Sequence, residues 1–183
     1  MSNMYNLFLE SGSKIHERVR DNKDAIRSEG GDPENVFYYT ESMIEAKYHA
    51  IQAEIKIAEV EEDREDNETS DVGTKIRKSL EEYEKAIDYL QNAVSLHEEM
   101  NPESIEYCEK LLELELVRLS ERETNKERYE ELFNRLKRFL GVKNDYTGDV
   151  GLGGYKPFRK NPEKHLKNIK YERDEVKLIA NEL

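Results

Sequence analysis

Six apolar residues between Ile76 and Val94 constrain the fold of this chain more than any other feature. Ile76, Leu80, Tyr83, Ile87, Leu90 and Val94 follow one another at steps of 4, 3, 4, 3 and 4. On a helix of 3.6 residues per turn this alternation winds the side chains into one stripe, which a second helix must cover. The pattern therefore predicts paired helices, not the in–out alternation of a half-buried strand. A matching stripe lies upstream at Phe37, Ile44, Tyr48, Ile51, Ile55 and Ala58. Val36, Met43, Ile57 and Val60 widen it, which implies that this helix meets more than one neighbour. Together the two runs predict an antiparallel hairpin of residues 33–62 and 73–99, turned by the acidic connector Glu61 to Gly73.

The remaining segments add shorter helices. Residues 3–28 read as a first helical segment kinked near Gly12, with Ile15, Val19, Asn22 and Ile26 on its stripe. Glu29-Gly30-Gly31-Asp32-Pro33 combines a glycine stop with an aspartate cap and a first-turn proline for the next helix. A third long helix is expected from Pro102 to Glu123, with Ile105, Cys108, Leu112, Leu116 and Leu119 on one face. Residues 120–127 are almost wholly polar and either continue or break it. Tyr129, Leu132, Leu136 and Phe139 resume a stripe that stops at Gly141. Residues 141–155 are glycine-rich without periodicity and read as an extended arm. A last helix is expected to start at Asn161-Pro162-Glu163, with Leu166, Ile169, Val176 and Ile179 inward. The expected architecture is all-α. Four to six helices form a bundle over residues 1–141, followed by a glycine-rich arm and a short basic helix over 142–183.

Composition agrees with this reading. Hydrophobic residues are 36% and charged residues 38% of the chain, against about 45–50% apolar in a typical globular domain. That balance suits long helices wet on one side. The formal net charge of −12 opposes nonspecific nucleic-acid binding by the molecule as a whole. Cys108 is the single cysteine and sits on an apolar stripe, so it reads as a small buried hydrophobe. No apolar run approaches the ~18 residues of a membrane span. The opening residues lack the basic start and apolar core of a signal peptide. The expected location is cytoplasmic, or a particle assembled in the cytoplasm.

No motif carries chemistry. His16, His49, His97 and His165 are scattered, and His97-Glu98-Glu99-Met100-Asn101 lacks the second histidine of a zinc-protease helix. The acidic connector lacks the calcium-loop glycine at its required place. Gly148 to Gly154 is glycine-rich but has no preceding strand and no following Gly-Lys-Ser/Thr. No Gly-x-Ser-x-Gly occurs. The chain is therefore expected to be non-enzymatic, with no cofactor, metal or small-molecule substrate.

The segment Tyr83-Glu84-Lys85-Ala86-Ile87-Asp88-Tyr89-Leu90-Gln91-Asn92-Ala93-Val94, followed by Asn101-Pro102, resembles the second helix of a tetratricopeptide repeat. Two alanines seven residues apart and the later proline carry the likeness, which spans residues 83–102. Gly73 and Arg77 stand where that family has a leucine and a tyrosine. The resemblance implies stacked helix pairs that serve as a scaffold for peptides or partner proteins.

One segment departs from the acidic background. Between Lys156 and Lys170 the chain holds Lys156, Arg159, Lys160, Lys164, Lys167 and Lys170 against the single acid Glu163. Tyr155, Phe158 and Tyr171 interleave with these cations. Such a mixture docks onto acidic protein surfaces, the chain's own helices included, or holds phosphates while stacking bases. The expected function is that of a helical interaction or structural protein, a subunit of a larger assembly whose basic aromatic arm contacts another chain, copies of itself included. The alternatives are a viral or phage assembly component, such as a head–tail connector or packaging subunit, and a nucleic-acid-binding regulator acting through residues 155–171.

Overall fold

The computed structural model describes residues 2–65, 71–121 and 162–182, and these contain no strand. Six helices follow in order: α1 (Ser2–Asp21), α2 (Lys23–Ser28), α3 (Pro33–Glu65), α4 (Val72–Glu99), α5 (Pro102–Glu121) and α6 (Pro162–Asn181). The stripe Tyr129–Phe139, the glycine-rich arm and residues 66–70 of the connector lie outside the described residues, as do the side chains of Ala58, Leu116 and Leu119.

Helices α3 and α4 form the hairpin, and their 33 and 28 residues give lengths of roughly 50 and 42 Å at 1.5 Å per residue. Asn92 Nδ2 donates to Ser42 Oγ at 2.7 Å, and Ser79 Oγ donates to the Ala53 carbonyl at 2.9 Å. Residue numbers thus fall along α4 as they rise along α3, so the pair is antiparallel. A serine hydroxyl that reaches its neighbour's backbone requires a close approach. Small side chains permit it: Ala46, Ala50 and Ala53 on α3, and Ser79, Ala86 and Ala93 on α4, are all at 0% exposure. The seam of α4 therefore runs through Val72, Ile76, Ser79, Tyr83, Ala86, Leu90 and Ala93, all buried, again at steps of 4 and 3. The apolar stripe shares Ile76, Tyr83 and Leu90 with it. Leu80 and Val94 are half-buried on the other flank.

Around this hairpin, α1 and α5 pack against α3 and against each other, while α6 packs against α4. Phe37, Tyr48 and Ile55, expected at the centre of the α3 stripe, are only half-buried. The fully enclosed positions are Val36, Thr40, Met43 and the three alanines, because α3 is covered from more than one side. Cys108 of α5 is buried and directs its Sγ at the Val36 carbonyl, 3.8 Å away.

Two local corrections concern the first segment. Helix α1 runs unbroken through Gly12, which has open space around its Cα; one glycine in a helix costs only about 1 kcal/mol. The interruption falls instead at Asn22, which is exposed and whose side-chain amide donates to the Arg18 carbonyl at 2.8 Å. Asn22 is therefore not on the buried stripe of Ile15, Val19 and Ile26. The acidic connector is also shorter than expected, since α3 continues to Glu65 and α4 begins at Val72.

The predicted stop and start signals meet in one junction. Gly30 takes a φ of 81°, and the Gly30 and Gly31 amides donate to the Arg27 and Ile26 carbonyls at 3.0 and 2.9 Å, which is a Schellman closure of α2. Asp32 Oδ1 accepts from the Glu34 amide at 2.9 Å and caps α3. Asn101 Oδ1 caps α5 through the Ser104 amide at 2.8 Å, while its Nδ2 donates to the Glu29 carbonyl at 3.2 Å. A Cβ on Gly31 would stand 2.3 Å from Ser104 Oγ, so this crossing of the α2–α3 turn with α5 admits only glycine.

The close seam predicts a specific sensitivity. Ala86→Leu inserts a large side chain where α3 and α4 touch and is expected to lower stability by about 1–3 kcal/mol in urea unfolding. Glu81→Leu, at an exposed position of the same helix, is expected to change it by less than ~0.5 kcal/mol. Equal effects of the two substitutions would contradict the seam.

Candidate interaction surface

The basic segment is the sequence feature with the clearest functional signal, and α6 carries its second half. Tyr155, Lys156, Phe158, Arg159 and Lys160 lie outside the described residues. On α6, Ile169 and Val176 are buried, and Leu166 and Ile179 pack against the core half-buried, as the periodicity predicts. The opposite face carries Lys164, Lys167, Tyr171, Asp174 and Leu178 at steps of 3, 4, 3 and 4, all exposed. Tyr171 and Leu178 are 64% exposed, more than any other large apolar side chain among the described residues. The structure thus places Lys164, Lys167 and Tyr171 on one outward face, while Lys170 turns to the flank and is half-buried.

The inner side of α6 is not purely apolar. Arg173 Nη1 lies 3.2 Å from Glu84 Oε1 of α4, and Lys177 Nζ lies 3.6 Å from the same oxygen. Toward α3, His165 stands near Lys47, and Glu172 near Glu54. Helix α6 consequently runs parallel to α3 and antiparallel to α4. Lys47 is only 3% exposed, and burial holds its ammonium well below the ordinary lysine range. Burial, then the charges of Lys47 and Lys164, bring His165 down to about 4. Burial, then the charges of Glu54 and Glu175, raise Glu172 to about 7. Glu172 Oε2 is buried with no hydrogen-bond partner among the described residues. Leu178 and these inner polar groups escaped the sequence reading. Lys47 stands in phase with Ile44 and Ile51 on the stripe, but phase alone does not tell an enclosed lysine from one that reaches solvent.

On the other flank of the hairpin, His49 Nδ1 shares a 2.5 Å hydrogen bond with Glu82 Oε2 of α4, and its Nε2 lies 3.8 Å from Glu45. The Tyr89 ring stacks on the imidazole, with centroids 5.6 Å apart and planes 7° from parallel. Burial pushes Glu82 up, but hydrogen bonds from Lys85 and His49 outweigh it and leave the carboxyl below its ordinary value. Burial raises Glu45, with Glu41 adding to the effect and His49 opposing it. This cluster clamps α3 to α4 in register. His97 stands in a tilted ring contact with Tyr39, with centroids 6.0 Å apart. Among the described residues no group of three or more His, Cys, Asp and Glu side chains is arranged to hold a metal ion. No helix there is long and apolar enough to cross a membrane.

Comparison with protein-family models, curated proteins and solved structures finds no match.

The two titrating groups beneath α6 act in opposite directions. Glu172 binds its proton more tightly folded than unfolded, so its contribution to stability is lost as pH rises from about 4.5 to 7. His165 binds its proton less tightly folded, so its contribution is lost as pH falls from about 6.5 to 4. In the native chain the two slopes offset each other across their shared window. Glu172→Gln is expected to leave a Tm that, relative to the native chain, falls on acidification from about pH 7 to 4.5. His165→Gln is expected to leave one that rises, relatively, on acidification from about pH 6.5 to 4. Calorimetry of both variants across this range checks the signs, and identical profiles would refute the assignment.

Proposed function

We propose that this chain is a non-enzymatic helical interaction protein, a subunit of a larger protein assembly that contacts another chain through the basic aromatic segment of residues 155–171. The observation that carries the reading is the orientation of α6. Its apolar face is used within the bundle, and Lys164, Lys167 and Tyr171 stand on the face turned away from it. Tyrosine is enriched at protein contact surfaces and among the residues that carry their binding energy. The chain as a whole carries a formal net charge of −12, so the segment is a basic feature against that background, one that fits an acidic protein surface and steers it by charge. The hairpin holds this face on a long rigid support.

A triple substitution on the outer face tests the reading. Lys164→Glu, Lys167→Glu and Tyr171→Ala alter no buried residue and are expected to shift Tm by less than ~2 °C. In cross-linking mass spectrometry on cells producing the full chain, residues 155–171 should supply most cross-links to other chains. The triple variant should lose them about tenfold or more. Unchanged cross-links would contradict the proposal. Tight binding of a mixed-sequence oligonucleotide, lost steeply with salt, would replace it with the nucleic-acid reading.

A further inference from the structure

We propose that the outer face of α6 pairs with the same face of a second copy of this chain, antiparallel and about a two-fold axis through Tyr171. The inference rests on the reading that this face is a contact surface, and it names the partner. Its warrant is the order of charges along the face. Lys164 and Lys167 precede Tyr171, and Asp174 and Glu175 follow it, all exposed. A two-fold axis at Tyr171 brings Lys167 opposite Glu175 of the partner subunit, and by symmetry Glu175 opposite Lys167 of the partner subunit. An isologous contact makes every such pair twice. Leu178 then lies against the aliphatic stem of Lys164 of the partner subunit, which covers apolar surface while its ammonium stays in water. The two Tyr171 rings meet at the centre. A parallel pair would instead set lysines against lysines and acids against acids.

The exposures agree with this geometry. Tyr171 and Leu178, the two most exposed large apolar side chains among the described residues, are seven residues apart on one face, the spacing that a straight helix pair buries together. Arg173 and Lys177 are engaged with Glu84 of α4, and Arg173 also pairs with Asp174 at 3.1 Å, so Glu175 is the acid that meets Lys167 of the partner subunit. A contact built on one pair of 20-residue helices is small beside a standard interface, so association is weak and concentration-dependent.

Sedimentation equilibrium of the full chain should show a mass of 21.6 kDa at low concentration that climbs toward twice that value as concentration rises. Lys167→Glu turns two attractive pairs into two repulsive ones and is expected to weaken association about tenfold. Adding Glu175→Lys to the same chain restores the complementarity and should recover the native constant to within about threefold. Under mild oxidation, the thiol of Tyr171→Cys lies on the axis and should form a disulfide-linked dimer much faster than Leu178→Cys, a position equally exposed in the single chain. A mass that stays at one chain, a double variant no better than the single one, or equal oxidation rates would each overturn self-pairing. The charge swap also separates this inference from the reading beneath it. A foreign acidic partner is lost in the single variant and stays lost in the double one, whereas a second copy is lost and then recovered.

Discussion

The close contact between α3 and α4 is the constraint on which the rest of the molecule depends. Alanine and serine along the seam let the two backbones approach until Ser79 reaches the Ala53 carbonyl. A seam of small residues buries little apolar area per side chain, and dispersion contacts between tightly packed backbones supply what bulk does not. It also fixes the register, because His49–Glu82 and Ser42–Asn92 meet only in one alignment. With the hairpin set, each of its edges becomes a docking site: α1 and α5 use α3, and α6 uses α4.

That arrangement decides which part of α6 is available to partners. Ile169 and Val176 are committed to the interior, and Arg173 and Lys177 to Glu84. The interior side also holds Lys47, His165 and Glu172, ionisable groups that burial penalises. Leucines there would bury more cheaply, so these groups weaken the attachment of α6 relative to an all-apolar face while making its alignment specific. The outer face is left with a short ordered set of charges around one tyrosine. In the reading proposed above, this face is the contact surface, and the hairpin is the frame that aims it.

Much of the fold was legible because helical periodicity is a strong signal. The stripe from Ile76 to Val94 announced the hairpin, and the Gly30-Gly31-Asp32-Pro33 signals placed the α2–α3 turn to within a residue. The details that escaped reading share a cause. A stripe of large apolar residues marks a helix face, but alanine at positions 46, 50 and 53 does not stand out by hydrophobicity, although it lies deepest. Gly12 suggested a break because its propensity is poor, and the helix absorbed that cost. Asn22 made the break through a side-chain bond that periodicity does not contain. The polar groups under α6 were hidden for a similar reason: a lysine or glutamate in phase with a buried face looks the same in sequence whether it is enclosed or reaches solvent. Of the candidate surface, the cations and tyrosines were legible as a segment. Their division into an outer face and a flank required knowing where α6 docks.

In the proposed reading, α6 belongs to the same cooperative unit as the α3–α4 seam, so that only its outer face is free to meet another chain. Hydrogen–deuterium exchange of the full chain, followed by peptide mass, measures this directly. Amides within residues 43–54, 76–93 and 166–177 are expected to share slow exchange and to lose it together as urea is added. Exchange of residues 166–177 at the rate of an unfolded chain, while α3 and α4 stay protected, would contradict it.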